Sequence, residues 1–280
     1  MTSKIERVAV LGLGYIGLPT ASALASRGIE VVGVDIDERV IETIKSGRAH
    51  FSEPDLDIMV RSATESGLLR PVCDVEPADV YVICVPTPIT GNNKADLSYV
   101  EAAGRAIAKV LERGNLVILE STCPVGTTET LASEVKHARP DLIAESNQDR
   151  SLDISVAFCP ERILPGRMVF ELIENGRVIG GLTEKCAEHA RQFYTLFVKG
   201  ALHLTTARNA ELVKLVENAY RDVNLAFANE LSMLCEDLDV NVWDTIRLAN
   251  LHPRVSLLSP GAGVGGHCIP IDPWFIIDTL

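Results

Sequence analysis

The sequence predicts an α/β fold: a Rossmann-type, doubly wound parallel sheet, then one long connecting helix and an all-α remainder. Three observations carry it. Short apolar runs alternate with helical segments over residues 1–205. The first of these runs leads directly into a glycine-rich turn and a helix of small residues. From Thr206 to Leu238 the alternation stops, and no glycine or proline interrupts the stretch. Alternation of this kind places helices on both faces of a sheet. The expected division is a sheet domain over 1–205 and a helical region over 206–280.

Arg7-Val-Ala-Val-Leu11 is a buried strand by its apolar run. Gly12-Leu-Gly14-Tyr15-Ile16-Gly17 follows at once, Leu18 to Ser26 forms a helix, and Glu30 to Val34 forms a second strand ending at Asp35. Strand, glycine turn, helix, strand and acid in this order are the dinucleotide fingerprint of a Rossmann-type domain. Gly12 permits the tight turn, Gly14 lets a pyrophosphate reach the backbone, and Gly17 allows helix and strand to pack closely. The helix N-terminus offers N–H groups and partial positive charge to the phosphates. Asp35 would accept hydrogen bonds from the adenosine ribose hydroxyls and repel a 2′-phosphate, and Ile36 is no phosphate clamp. NAD is therefore expected over NADP, with Arg39 the one nearby residue arguing otherwise.

Strands are expected at Val80–Val85, Leu116–Leu119, Val156–Cys159 and Val178–Ile179. Helical segments near 38–46, 55–66, 97–111, 127–138 and 184–196 separate or flank them. Ligands in such folds bind outside the carboxyl ends of the strands. Pro86-Thr87-Pro88, Ser121-Thr122 and Pro160-Glu161-Arg162 fall there. Ser121 and Thr122 also read as plain helix caps. The polar segment Ala144 to Asp153 reads as a surface loop. On the long helix, Leu212, Leu215, Val216, Ala219, Val223, Ala226 and Phe227 recur at helical spacing. Lys214, Asn218 and Arg221 line one face at i, i+4 and i+7. Two cations and an amide suit an anionic or oxygen-rich ligand, though Glu217 leaves an ordinary ion-paired face open.

With 280 residues, 47% hydrophobic and 23% charged, the chain suits one large domain or two smaller ones. No apolar run approaches the roughly 20 residues that span a bilayer, and Arg7 and the glycine turn break up any signal-peptide core. A soluble, cytoplasmic protein away from membranes is expected. The seven cysteines are odd in number, dispersed and without a CxxC pair, which argues for reduced thiols and against structural zinc. His267 beside Cys268 is not a metal pair by spacing, and His252 lies far off, so no metal is expected. A net charge of −12 counts against nucleic acid as a partner.

Gly261-Ala-Gly-Val-Gly-Gly-His-Cys268-Ile-Pro-Ile-Asp272-Pro273 sets one cysteine in a glycine-rich loop, with an aspartate four residues on. Glycine lets backbone approach a ligand closely. A lone cysteine is more often a buried packing residue, but that role needs no such loop. Cys268 is therefore the candidate nucleophile, since a thiolate beside cations or N–H donors attacks electrophiles.

Taken together, the motifs resemble the UDP-glucose/GDP-mannose dehydrogenase family over the whole chain. The carriers are the turn Gly12 to Pro19, Val85-Pro-Thr-Pro88, Glu120-Ser-Thr-Cys-Pro-Val-Gly126, Cys159-Pro-Glu-Arg-Ile-Leu-Pro-Gly166, Lys214 to Asn224, His252-Pro-Arg254, and the cysteine loop running into Asp272-Pro-Trp-Phe275. The resemblance implies two successive oxidations of a sugar C6 alcohol to a carboxylate, for cell-surface polysaccharide precursors. The intermediates would be a thiohemiacetal and a thioester on Cys268. It implies acid/base work for Lys214 with Asp272, oxyanion donation by Lys214 and Asn218, water activation by Glu161 and water holding by Thr122. NAD contacts would come from Gly12, Gly14, Tyr15, Ile16, Gly17, Asp35, Thr87 and Thr122. Nucleotide-sugar contacts would come from Arg162, Ile163, Lys214, Asn218, Arg221, His252, Arg254 and Gly265, with Arg254 reaching across a homodimer.

Ile271 and Pro165 stand where UDP-glucose enzymes carry a lysine and a second glutamate, which counts against glucose. Arg221, His252-Pro-Arg254 and Trp274-Phe275 favour UDP-N-acetyl-D-mannosamine, while the stretch Cys268 to Pro273 is equally like the UDP-N-acetylglucosamine enzymes. Family members continue into a second α/β domain that helps bind UDP, whereas this chain stops at Leu280. An incomplete sugar site is the expectation, and a non-catalytic NAD-binding or dimerisation module is the alternative. A two-electron β-hydroxyacid dehydrogenase shares the lysine and asparagine four apart but has no need of Cys268.

Overall fold

The computed structural model describes residues 5–143, 153–266 and 268–278. His267 and most of the polar segment read above as a surface loop lie outside them. The described chain divides into two compact units, Met1–Pro88 with Asp96–Glu211, and Ile89–Ala95 with Leu212–Leu280.

The first unit holds one eight-stranded sheet. Its strands are β1 (Arg7–Leu11), β2 (Glu30–Val34), β3 (Leu69–Val72), β4 (Val80–Ile83), β5 (Leu116–Leu119), β6 (Ser155–Phe158), β7 (Arg177–Gly181) and β8 (Leu202–Thr206). They are ordered β3-β2-β1-β4-β5-β6-β7-β8. The central strands bury both faces, so their side chains supply two cores. Val8, Val10, Val31, Val80, Val82, Leu116 and Ile118 pack on one side. Ala9, Leu11, Val32, Tyr81, Ile83, Val117 and Leu119 pack on the other. Continuous apolar runs are what such doubly covered strands require.

Helix α1 (Gly17–Ala25) is buried along all nine residues, which explains its small side chains. Helices α2 (Glu38–Lys45) and α3 (Leu56–Glu65) follow, and α3 packs on α1. Helices α4 (Ser98–Ala108) and α5 (Thr127–Ala138) pack together and bury Ile107, Leu131 and Val135 in the second core. Helices α6 (Met168–Glu174) and α7 (Glu184–Tyr194) bring Leu172, Phe193 and Tyr194 to the first core.

Two features differ from the sequence expectation. Strand β7 runs antiparallel to β6, and β8 runs parallel to β7. A strand covered on both faces carries the same apolar composition in either direction, so only the course of the connection decides its sense. Edge strands β3 and β8 and the seven-residue helix α6 were not foreseen. Strand β3 contains Pro71 and an exposed Arg70, and β8 is largely exposed. Edge strands bury too little to show as apolar runs.

Helix α8 (Ala207–Asp237) has 31 residues. It begins in the first unit and continues through the second. Glu211, fully buried on its first turns, accepts hydrogen bonds from Gly126 N at 2.6 Å, Thr128 N at 2.8 Å and Thr128 Oγ1 at 2.6 Å. Helix α5 has no cap from its own N-cap residue; the carboxylate of Glu211 satisfies its orphan N–H groups and meets the positive end of its dipole.

The second unit adds α9 (Val242–Ala249) and α10 (Asp272–Ile277) to α8. Leu215, Ala228, Cys235, Ile246 and Phe275 are its buried apolar residues. Asn241 caps α9 through Trp243 N and Asp244 N. No described helix is long and apolar enough to cross a membrane, and all seven cysteines are free thiols.

Replacing Glu211 by Ala leaves buried donors unsatisfied, each costing on the order of 1–3 kcal/mol. Glu211→Ala should lower unfolding stability by about 3 kcal/mol, read from the urea midpoint. A loss under about 1 kcal/mol would show that water replaces the carboxylate.

Candidate active site

The glycine turn after β1 is shaped by close backbone approach. Gly12 has φ +87°, and a Cβ there would lie 2.7 Å from the Cys84 carbonyl oxygen. A Cβ on Gly17 would fall 1.8 Å from the Gly12 oxygen. No larger residue fits either position. Asp35 braces the turn: its Oδ2 accepts Leu13 N at 2.9 Å and its Oδ1 accepts Asp37 N at 2.9 Å. Tyr15 is exposed and stacks 4.4 Å from Phe51.

The residues present fit a dinucleotide. No side chain caps the N-terminus of α1 and no acidic residue stands in its first turn, so the positive end of its dipole is unopposed there and suits a pyrophosphate, although Leu18 N already donates to the Gly14 carbonyl. The space a Cβ on Gly14 would enter is open. The guanidinium of Arg39 is held bidentately by Asp37, at 3.0 Å and 2.7 Å. That pairing drives the Asp37 carboxyl down to about 2. The one residue that argued for a 2′-phosphate is thus already occupied.

The ends of β4 and β5 are tied together. Thr87 Oγ1 donates to the Thr122 carbonyl at 2.6 Å, and Ser121 Oγ donates to the Val85 carbonyl at 2.7 Å. Two residues expected near the cofactor, Thr87 and Thr122, are therefore in contact, and Ser121 is a cross-strand tie. Beneath them lies a buried polar cluster that sequence reasoning missed. Arg177, at the start of β7, is 1% exposed and pairs with Glu161, itself 7% exposed. Glu120, 3% exposed, accepts Tyr194 O–H at 2.6 Å and Cys84 S–H at 3.3 Å.

Burial opposes the Arg177 charge, but Glu161, then Cys159 and Glu120, outweigh it and hold the guanidinium protonated. Burial raises the Glu120 carboxyl, and Arg177 pulls against that rise. Burial also pushes the Cys159 thiol up to about 12 and Cys84 well above the usual thiol range. Neither is a nucleophile. The signal available in the sequence was Arg177 itself, a charged residue opening an apolar strand. Arg162 is exposed, and Ile163 packs on the first core.

In the second unit, Cys268 is exposed and follows Gly265 and Gly266, at φ +66° and +89°. Its carbonyl accepts Ile271 N at 3.0 Å and Asp272 N at 2.9 Å, which closes the loop into the start of α10. Asp272 is 3% exposed and accepts a hydrogen bond from the amide of Asn218. Partial burial of the sulfur and the Asp272 carboxylate push the Cys268 thiol above its ordinary value, while Lys214 pulls it down. Burial likewise raises Asp272, against Asn218 and Lys214. The loop thus joins four expected residues, Lys214, Asn218, Cys268 and Asp272, in one electrostatic cluster. Arg221, His252 and Arg254 are exposed; Arg254 N donates to His252 Nδ1 at 3.3 Å. Among the described residues no group of His, Cys, Asp and Glu is placed to hold a metal ion.

Two outcomes are expected. In calorimetric titration the chain should prefer NAD clearly over NADP, and Asp35→Ala should weaken NAD about tenfold or more by removing charge-assisted hydrogen bonds. Equal or tighter NADP binding by the unaltered chain would sink the assignment. Alkylation of Cys268 by iodoacetamide near neutral pH, followed by peptide mass spectrometry, should accelerate in Asp272→Asn and slow in Lys214→Met. The thiolate is the reacting form, so each change should be about threefold or more. Unchanged rates would remove both charges from control of the thiol.

Comparison with known proteins assigns both parts of the chain to one family. Residues 6–198 match the NAD binding domain of the UDP-glucose/GDP-mannose dehydrogenase family, and residues 208–280 match its central domain. An NDP-N-acetyl-D-galactosaminuronic acid dehydrogenase from Ralstonia nicotianae is 58% identical over 97% of this chain and 64% of its own length. A UDP-N-acetyl-D-mannosamine dehydrogenase from Campylobacter jejuni is 54% identical over 98% of this chain and 68% of its own. The solved UDP-D-ManNAc dehydrogenase from Pyrococcus horikoshii superposes with a TM-score of 0.92 at 48% identity, over 97% of this chain and 64% of that one. The chain thus spans about two thirds of the length of these relatives. With its glycine turn, its cysteine loop and both domain matches, the chain belongs to the UDP-glucose/GDP-mannose dehydrogenase family.

Proposed function

We propose that this chain carries the NAD-binding and thiol-bearing parts of a cytoplasmic dehydrogenase that oxidises the C6 alcohol of a UDP-N-acetylhexosamine to the uronic acid. The observation that carries the reading is the Cys268 cluster. An exposed cysteine in a positive-φ glycine loop shares its surroundings with Lys214 and with a buried Asp272 held by Asn218. The names of the relatives support UDP-N-acetyl-D-mannosamine as the sugar. The name of the 58% identical relative favours a galacto-configured sugar as the second reading.

NAD bound at the glycine turn supplies the hydride acceptor for each oxidation. Lys214 and Asp272 handle the proton of the C6 hydroxyl, and Lys214 and Asn218 donate to the oxyanion. Cys268 attacks the aldehyde carbon as the thiolate, forming a C–S bond and a thiohemiacetal. The second oxidation leaves a thioester on Cys268. Glu161 takes the proton of the hydrolytic water, whose oxygen displaces the thiolate and completes the carboxylate. Thr122 holds that water. The Asp272 carboxylate disfavours the Cys268 thiolate and Lys214 favours it, so Lys214 is the group that promotes the attacking form. Arg162, Ile163, Arg221, His252, Arg254 and Gly265 are assigned to the nucleotide sugar. Val216, Tyr220, Val223 and Phe227 form an exposed apolar stripe along α8 at spacings suited to a partner helix, which supports a homodimer.

The test uses the enzyme at the length of its relatives. Positioned general-base catalysis contributes about 10²–10⁴-fold, so Glu161→Gln should slow turnover by that range. Rapid mixing should still give an NADH burst near two per active site, with the sugar left on Cys268 by mass spectrometry. Cys268→Ser should abolish uronic acid formation and show no thioester. Near-normal turnover in the serine variant would overturn the covalent mechanism.

A further inference from the structure

We propose that Arg177 is a positioning residue that fixes the Glu161 carboxylate for thioester hydrolysis. The proposal rests on the hydrolytic role given above to Glu161. Arg177 is 1% exposed, and a buried guanidinium is retained only where compensation is close. Its Nη1 donates to Glu161 Oε2, and its Nη2 donates to the Leu172 carbonyl at 3.2 Å. Its Cζ lies 5.7 Å from the centre of the Tyr194 ring. The remaining oxygen of Glu161, Oε1, accepts Arg162 N at 2.6 Å. Each carboxylate oxygen thus has its own donor, and two donors on two oxygens set both the position and the plane of the group.

Two buried carboxylates share this one buried cation, and the hydrogen bonds show how it is committed. Glu120 is served by neutral donors, Tyr194 O–H on Oε1 and Cys84 S–H on Oε2. The guanidinium turns to Glu161 instead. Cys84 also lies under the dinucleotide turn, because a Cβ on Gly17 would meet its Cβ at 3.2 Å. One packed cluster therefore runs from the cofactor turn through Cys84, Glu120 and Tyr194 to Arg177 and Glu161. A pair serving only stability would not confine its effects to one chemical step; a positioning pair does.

The test compares Arg177→Met and Arg177→Lys, each alone and with Glu161→Gln, in the enzyme at the length of its relatives. NAD titration of the same substitutions in the 280-residue chain reports folding. Misplacing a reacting group by about 1 Å costs about 10²-fold. Arg177→Met should keep the two-NADH burst, slow hydrolysis by about that factor and leave sugar on Cys268. Arg177→Lys, which keeps the charge without the planar fork, should recover about tenfold. In the Glu161→Gln background neither substitution should slow hydrolysis by more than about twofold, because residues acting through one another are not additive. If Arg177→Met fails to bind NAD, Arg177→Lys and the doubly neutral Arg177→Met/Glu161→Gln variant decide by the same readouts. Wild-type hydrolysis in the Arg177 variants beside a stalled Glu161→Gln overturns this assignment alone, as does equal slowing in both backgrounds. A Glu161→Gln variant that accumulates no thioester overturns the hydrolytic reading and this assignment with it.

Discussion

Burial of the central strands on both faces is the constraint on which the rest depends. With Val8 and Val10 in one core and Ala9 and Leu11 in the other, β1 and its neighbours have no solvent face for polar groups. Functional side chains are pushed to the strand ends. There the chain leaves the sheet, and backbone and side-chain donors are free to meet a ligand. The glycine turn, Thr87, Ser121, Thr122 and Glu161 all lie at such ends. The close approach of Gly12 and Gly17 to their neighbours extends the same packing into the cofactor cradle.

Charge enters this apolar interior only with partners. Glu211 is buried because three donors at the start of α5 meet it. Arg177 is buried because Glu161 lies against it. Both join segments distant in sequence. The cost of burying either charge alone ensures that the segments stay together. In the second unit the same logic raises Asp272, and partial burial with the Asp272 carboxylate raises Cys268. A thiol held above its ordinary value stays protonated at rest, and the Lys214 charge is the lever that acts against it.

Much of the fold and of the candidate site was legible beforehand, for identifiable reasons. Long apolar runs gave away β1, β2, β4 and β5, and a run without glycine or proline gave away α8. The fingerprint is local, so Gly12 to Gly17 and Asp35 could be found from order and spacing. Cys268 stood out because four glycines precede it closely. By contrast, β3 and β8 lie at sheet edges with exposed or polar residues, and α6 is a helix of seven residues. Neither kind of element leaves a strong periodic signal.

The sequence by itself therefore determined most of the local units: the buried central strands and the longer helices, where a dinucleotide turn forms, and which cysteine stands in an open loop. Periodicity and glycine placement are short-range properties that act within a few residues. Tertiary structure alone decided that β7 runs against β6, that Glu211 caps α5, and that Arg177 meets Glu161. Pairing direction depends on how a connection returns to the sheet. A buried charge chooses its partner by proximity in space, and no pattern along the chain encodes that proximity.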